Sequence, residues 1–178
     1  MGGSTLAILV TVFSGSIPSS GGASLHVRST DAQILQKLQE GYSRSATFRA
    51  LVDQLEGTST IVYVERGICA FGHFKACLPH AITVVGDTRF LRILVEEGRE
   101  GARELALIGH ELQHALEIAR EPNIRSAEDI TRLFGRIGRS THCPRGTPDC
   151  YETSAARAAG DAVLREILGS SGNQRERR

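Results

Sequence analysis

Residues 105–117 read LALIGHELQHALE. Leu105, Ile108, Leu112, Ala115 and Leu116 recur at three- and four-residue intervals, the period of a helix with one buried face. The helical pattern runs from Gly101 to Arg120, and Pro122 closes it, because the residue before a proline is pushed out of the helical region. His110 and His114 stand four residues apart, so both imidazoles rise from one helix face and can reach a single metal ion. Glu111, one step after the first histidine, lies beside them where an activated water would sit. Ile108, Leu112 and Leu116 assign the core face elsewhere, and Gly109 leaves room next to the histidines. The alternative is that both histidines are ordinary surface or capped core residues.

Around this helix the pattern is mixed. Asp31–Glu40 places Ile34, Leu35 and Leu38 at helical spacing behind a Ser29/Thr30 cap, and Ser45–Leu55 places Phe48, Leu51, Val52 and Leu55 on one face before Gly57. Ser59–Val64, Ala81–Val85 and Arg89–Val95 are rich in β-branched residues, the last two separated by Gly86-Asp87; a small antiparallel sheet is expected. Ala127–Ile137 reads as a short helix. Tyr151–Leu168, with Ala155, Ala156, Ala158 and Ala159, reads as a longer one that stops at Gly169. No repeat and no linker divides the chain. The expectation is one α+β domain over residues 24–168, with a frayed tail over 169–178.

Composition narrows the function classes. The chain has 178 residues, 40% of them hydrophobic and 23% charged, which is the balance of a globular domain and not of a disordered or polytopic membrane protein. A formal net charge of +1, with arginines scattered instead of striped, gives no electrostatic footprint for nucleic acid. Leu6–Phe13 is an apolar run too short to span a bilayer, followed by Gly21-Gly22-Ala23; residues 1–23 read as a signal peptide, although no Lys or Arg precedes the run. A buried N-terminal strand is the other reading. Cys69 and Cys77, and Cys143 and Cys150, are spaced too widely for metal knuckles, which favours disulfides and an exported protein, secreted or periplasmic. Four cysteines allow three connectivities, of which local pairing is the one expected, with four reduced thiols as the alternative.

The His110-Glu111-His114 motif resembles that of the HExxH zinc metallopeptidases, the zincins. Glu117 and Arg120 stand where the metzincin extension has Gly and a third His, which removes that branch. The resemblance is to the gluzincins, in which a Glu on a separate downstream helix is the third ligand. Glu152, in YETSAARAAGDAV and 38 residues after His114, is the matching position. Small residues at Ala155, Ala156 and Ala159 let that helix approach the HELQH helix. Glu152 as a first-turn dipole partner, or His142 or Asp149 as the third ligand, are the alternatives. The chain departs from the family at Ala156, where gluzincins have an acid that orients a histidine; Asp161 or Glu117 is left to take that task.

What the resemblance implies is a minimal zincin-like domain holding one Zn²⁺ on His110, His114 and Glu152, with Glu111 as general base in peptide-bond hydrolysis. Tyr151 and His142 are the neighbours available to donate to the oxyanion, and Asp161 to orient a ligand. Arg89–Val95 matches by order the strand along which zincins pair an extended substrate. The partner implied is a peptide or protein substrate, with no nucleic acid and no membrane span after leader removal. A zinc-binding module of the same fold without catalysis is the competing class, and a stapled interaction domain the third.

Overall fold

The computed structural model describes residues 26–69, 75–98, 101–141 and 150–175. The expected leader, His142, Cys143 and Asp149 lie outside these residues, as does any bond between Cys143 and Cys150. The class is α+β. In chain order the elements are β1 (Val27–Arg28), α1 (Ala32–Arg44), α2 (Ala46–Glu56), β2 (Thr60–Arg66), β3 (Ala76–Cys77), β4 (Thr83–Val85), β5 (Thr88–Val95), α3 (Ala102–Ala119), α4 (Ala127–Ile137), β6 (Arg139–Thr141), β7 (Cys150–Glu152) and α5 (Ser154–Arg175).

Local chemistry explains where the first helices begin. Asp31, and not Ser29 or Thr30, caps α1, its carboxylate accepting from the amides of Gln33 and Ile34. Ser45 ends α1 and caps α2, accepting from the Phe48 amide. It also donates its hydroxyl to Glu166 of α5, whose carboxylate takes Thr47 as well, so the start of α2 is fastened to the C-terminal helix.

The expected antiparallel sheet is a mixed one. β1, β2 and β5 run parallel, in register Val27↔Val62 and Thr60↔Arg89 through Arg66↔Val95, while β3 and β4 pair antiparallel with β5. The two runs separated by Gly86-Asp87 do pair antiparallel, as β4 and β5, and Gly86 takes the positive φ of +59° that the tight turn between them demands. Connectivity permits the parallel pairs. The chain between β1 and β2 contains two helices and that between β2 and β5 contains β3 and β4, connections long enough to allow parallel pairing, which a tight turn cannot. β5, expected from the resemblance to be the strand along which a substrate pairs, is no edge: β2 covers one side and β3 with β4 the other. The edge beside α3 is the β3–β4 segment, stapled by a Cys69–Cys77 disulfide.

The core forms between the sheet and helices α1, α2, α3 and α5. Val62, Val64, Leu91, Ile93 and Val95 alternate inward along β2 and β5, meeting Phe48, Leu55, Leu105, Ile108 and Leu112. Arg89, also inward and 4 % exposed, donates to the carbonyls of Ile118, Ala119 and Glu121, satisfying the C-terminal end of α3. α3 is packed on nearly all sides, and its closest partner is α5. A Cβ at Gly109 would lie 2.8 Å from Val163, and one at Gly160 would lie 3.2 Å from the carbonyl oxygen of Ala106 and 3.3 Å from His110 Cβ. These two glycines, with buried Ala156 and Ala159, let the helices touch; Ala155 and Ala158 face outward.

At the C-terminal end the expectation changes in two places. Residues 150–152 form β7, paired with β6 in a short hairpin, so Glu152 sits at the end of a strand and not on the first turn of a helix. α5 begins at Ser154 and passes through Gly169 to Arg175, so part of the expected tail continues the helix. A glycine inside a strong helical run costs only about 1 kcal/mol and need not end it. Among the described residues no helix is long and apolar enough to cross a membrane.

Candidate metal centre

His110 and His114 project from α3 toward the end of β7, where Glu152 meets them. Glu152 Oε2 lies 3.4 Å from His110 Nε2, and Oε1 lies 3.8 Å from His114 Nε2. The three donor atoms lie within 4.8 Å of one another, and the described residues hold no other such group of His, Cys, Asp and Glu. Glu152 pairs antiparallel with Arg139, and the β6–β7 hairpin packs on α4.

The protonation pattern favours a cation. His114 Nδ1 is 2.9 Å from Glu117 Oε2, a contact that favours a proton on Nδ1 and turns Nε2 toward Glu152 as the nitrogen that would ligate. Glu152 Oε1 is buried and has no hydrogen-bond partner. At 3.8 Å the Nε2 of His114 and this oxygen are too far apart for a hydrogen bond, and a buried acceptor left without a partner costs free energy that a bridging cation would offset. Neutral imidazole nitrogens and a carboxylate oxygen are ligands that zinc accepts. His110 and Glu152 are 21 % and 22 % exposed against 9 % for His114, so the centre opens to solvent on the His110 side.

Burial and charge shift the groups apart. Burial pulls His110 down to about 4, with the neighbouring His114 adding to the effect, so it is neutral and free to ligate at pH 7. Burial opposes the charged form of His114 too, but the bond to Glu117 and the carboxylates of Glu111 and Glu152 outweigh it and raise its pKa. Glu117 is held below the usual carboxylate range, because the bonds from His114 and Thr153 exceed its burial cost. Burial raises Glu152. Glu111 is pushed up to about 7, chiefly by burial; its carboxylate accepts from the amide of Leu78, just after β3.

Glu117 takes the orienting task for which Ala156 is unsuited. One of its oxygens holds His114 and the other accepts the Thr153 hydroxyl at 2.8 Å, while Thr153 Oγ1 accepts the Ala156 amide and so caps α5. His114, Glu117 and Thr153 form a chain that locks the ligand helix to the segment carrying Glu152. The sequence signal for Thr153 is the ordinary one for a helix cap, hidden by starting the helix two residues early. Glu117→Gln should keep the fold, because the amide can still meet Thr153, yet lower metal affinity by about 10–100-fold in a chelator competition titration. Unchanged affinity would remove Glu117 from the centre.

Other expected residues fall elsewhere. Tyr151 alternates to the opposite side of β7 from Glu152 and packs on α4: a Cβ at Gly135 would meet its hydroxyl at 3.4 Å, and one at Gly138 its Cβ at 3.2 Å. Asp161 is exposed on α5, and its charge acts on His110 without a hydrogen bond. Sequence reasoning overlooked the aromatic wall. Phe134 of α4 meets the His114 ring edge-on at 5.1 Å, and its other neighbour, His80, stacks on it at 5.5 Å while bonding Thr131. No protein-family model, no curated protein and no solved structure matches this chain, so the functional reading rests on the site itself.

Proposed function

We propose that the chain is an exported zinc-dependent metallopeptidase of the zincin kind, closest to the gluzincin pattern, with Glu152 as the downstream acidic ligand. The observation that carries the reading is the convergence of His110, His114 and the unpartnered oxygen of Glu152 next to a buried carboxylate, Glu111. A zinc ion held there would lower the pKa of water to near 7 and polarise a peptide carbonyl.

The chain's own residues divide the remaining work. Glu111, adjacent to the first histidine on α3, is placed to take a proton from water and return it to the departing amine. Its pKa, raised to about 7, suits a group that must both accept and give a proton near neutral pH. The Leu78 amide and the packing of α3 fix the carboxylate, and Glu117 with Thr153 fixes His114, so little reorganisation is left for the reaction. The Cys69–Cys77 disulfide fits an oxidising compartment and supports export.

The test is hydrolysis of a mixed-sequence peptide library by the chain lacking residues 1–23 and loaded with one zinc per chain. Turnover should vanish on removing the metal with a chelator and return on adding zinc. A chain that holds one zinc, folds, and cleaves no peptide would instead be a metal-binding module.

A further inference from the structure

Three connections of the fold meet at the C-terminal end of α3: the turn between α2 and β2, the turn between β4 and β5, and the segment between α3 and α4. They border an open cleft of about 440 Å³, whose lining includes Thr58, Ser59, Asp87, Arg89, Arg120 and Arg125. That volume falls in the range of small-molecule sites, roughly 300–1,000 Å³. None of the lining residues belongs to the metal centre.

The lining sets three guanidiniums against one carboxylate. Arg89, 4 % exposed, is held by the carbonyls of Ile118, Ala119 and Glu121 at 3.2, 2.7 and 2.6 Å. Arg120 and Arg125 are exposed, and they donate to Gln54 Oε1 at 2.6 Å and to the Gly86 carbonyl at 3.1 Å. Every one of these partners is a neutral oxygen. It fixes the side chain and leaves the positive charge in place, whereas Arg44, Arg66, Arg92, Arg132 and Arg136 each meet a carboxylate. Asp87, exposed in the β4–β5 turn, is a partner of none of the three. Burial, and after it the charge of Arg125, holds Arg89 below its ordinary range, as cations gathered in one place require. The carbonyl end of α3 offsets part of the charge of Arg89 but not that of the two exposed arginines.

A guanidinium has more N–H groups than these bonds use, so donors remain on all three. They come from three separate segments: β5, the residue after α3, and the α3–α4 connection. A planar carboxylate is filled by one guanidinium fork. A phosphate group carries close to two charges at neutral pH and offers acceptor oxygens in several directions, which suits donors that arrive from several segments.

We propose that this cleft is a binding site for a tetrahedral oxyanion, a phosphate group either free or carried on a small molecule, held by Arg89, Arg120 and Arg125. The site goes beyond the peptidase reading and does not depend on it.

The test uses the full chain freed of metal, because phosphate would also coordinate a zinc ion at the metal centre. Inorganic phosphate is titrated in about 0.1 M salt, where exposed charges more than about 10 Å apart are largely screened. Calorimetry gives the affinity and amide NMR shifts give the place. One saturable site is expected, with the largest shifts in residues 57–59, 86–89 and 119–125. Arg120→Gln and Arg125→Gln alter exposed side chains and should keep the fold. Each should weaken binding about fivefold, and the double variant about tenfold or more. Arg103→Gln removes the same charge from an exposed arginine about 25 Å away along α3, and should leave the affinity unchanged. Sulfate should compete, and acetate should not. Tighter binding of glycerol phosphate than of inorganic phosphate identifies a phosphorylated small molecule as the ligand; equal or weaker binding identifies the free ion. No saturable binding, shifts confined to other residues, an affinity unaltered in the double variant or lowered equally by Arg103→Gln, or acetate binding as well as phosphate overturns the proposal.

Discussion

Glu111→Gln is expected to keep one zinc per chain and lower peptide turnover by about a hundredfold or more, the range assigned to a positioned proton-transfer group. The substitution is close to isosteric. The amide oxygen can still accept from Leu78, so the β3 contact and the packing of α3 survive, and only the proton acceptor is lost. Because substrate contacts are untouched, the fall should appear in kcat and kcat/KM together, with KM little changed. A second readout needs no substrate. In the metal-free chain the folded-state pKa of Glu111 is about 7 against 4.5 as the reference value, so the folded state binds the proton more tightly than the unfolded one. The sign follows: stability from this group is fully present below about 4.5 and is lost as pH rises through 7. Urea midpoints of metal-free wild type and Glu111→Gln should therefore diverge across that interval, the variant lacking the loss. Turnover retained in Glu111→Gln would transfer the base to another residue, whatever the stability curves show.

The parts of the site that were legible in the sequence are those that one helix contains. Helical spacing puts His110, Glu111 and His114 together without any knowledge of the fold, and α3 lies within a residue of its expected limits. Glu152 was reachable only through the family pattern, and its setting was not. Cys150, Tyr151 and Glu152 make a three-residue strand, too short for alternation to declare itself beside an alanine-rich helix. β1 and β3, at two residues each, escape for the same reason. The direction of the sheet is a different kind of omission. Alternation in Thr88–Val95 tells which side chains point inward but not that β2 lies alongside in parallel, a pairing set by tertiary packing between distant segments. Glu117 shows an intermediate case. Its type and its position, three residues after His114, were visible, but its value to the site depends on Thr153, which only the start of α5 brings within reach.

Glu152→Ala should act in opposite directions on the metal-free and the metal-loaded chain, which makes it the most informative substitution at the centre. Without metal, the wild-type carboxylate leaves Oε1 buried and unbonded, a cost of about 1–3 kcal/mol for such a group. Removing it should leave stability unchanged or raise it in a denaturant titration. With zinc the sign reverses. A metal that binds only the folded state stabilises it in proportion to the logarithm of free metal over Kd. A chain reduced to His110 and His114 should lose more than about a hundredfold in affinity, beyond the loss expected for an outer partner such as Glu117. Wild type should thus melt at a higher temperature with added zinc, and Glu152→Ala should barely respond. Elemental analysis after desalting should find about one zinc in the first and little in the second. If the variant keeps one zinc with undiminished affinity, Glu152 is not the third ligand, and the task passes to His142 or Asp149 in the segment joining β6 to β7. If the metal-free variant is instead strongly destabilised, Glu152 holds the hairpin against α3 on its own account. The unpartnered oxygen would then be a structural acceptor and not the mark of a site kept open for a cation.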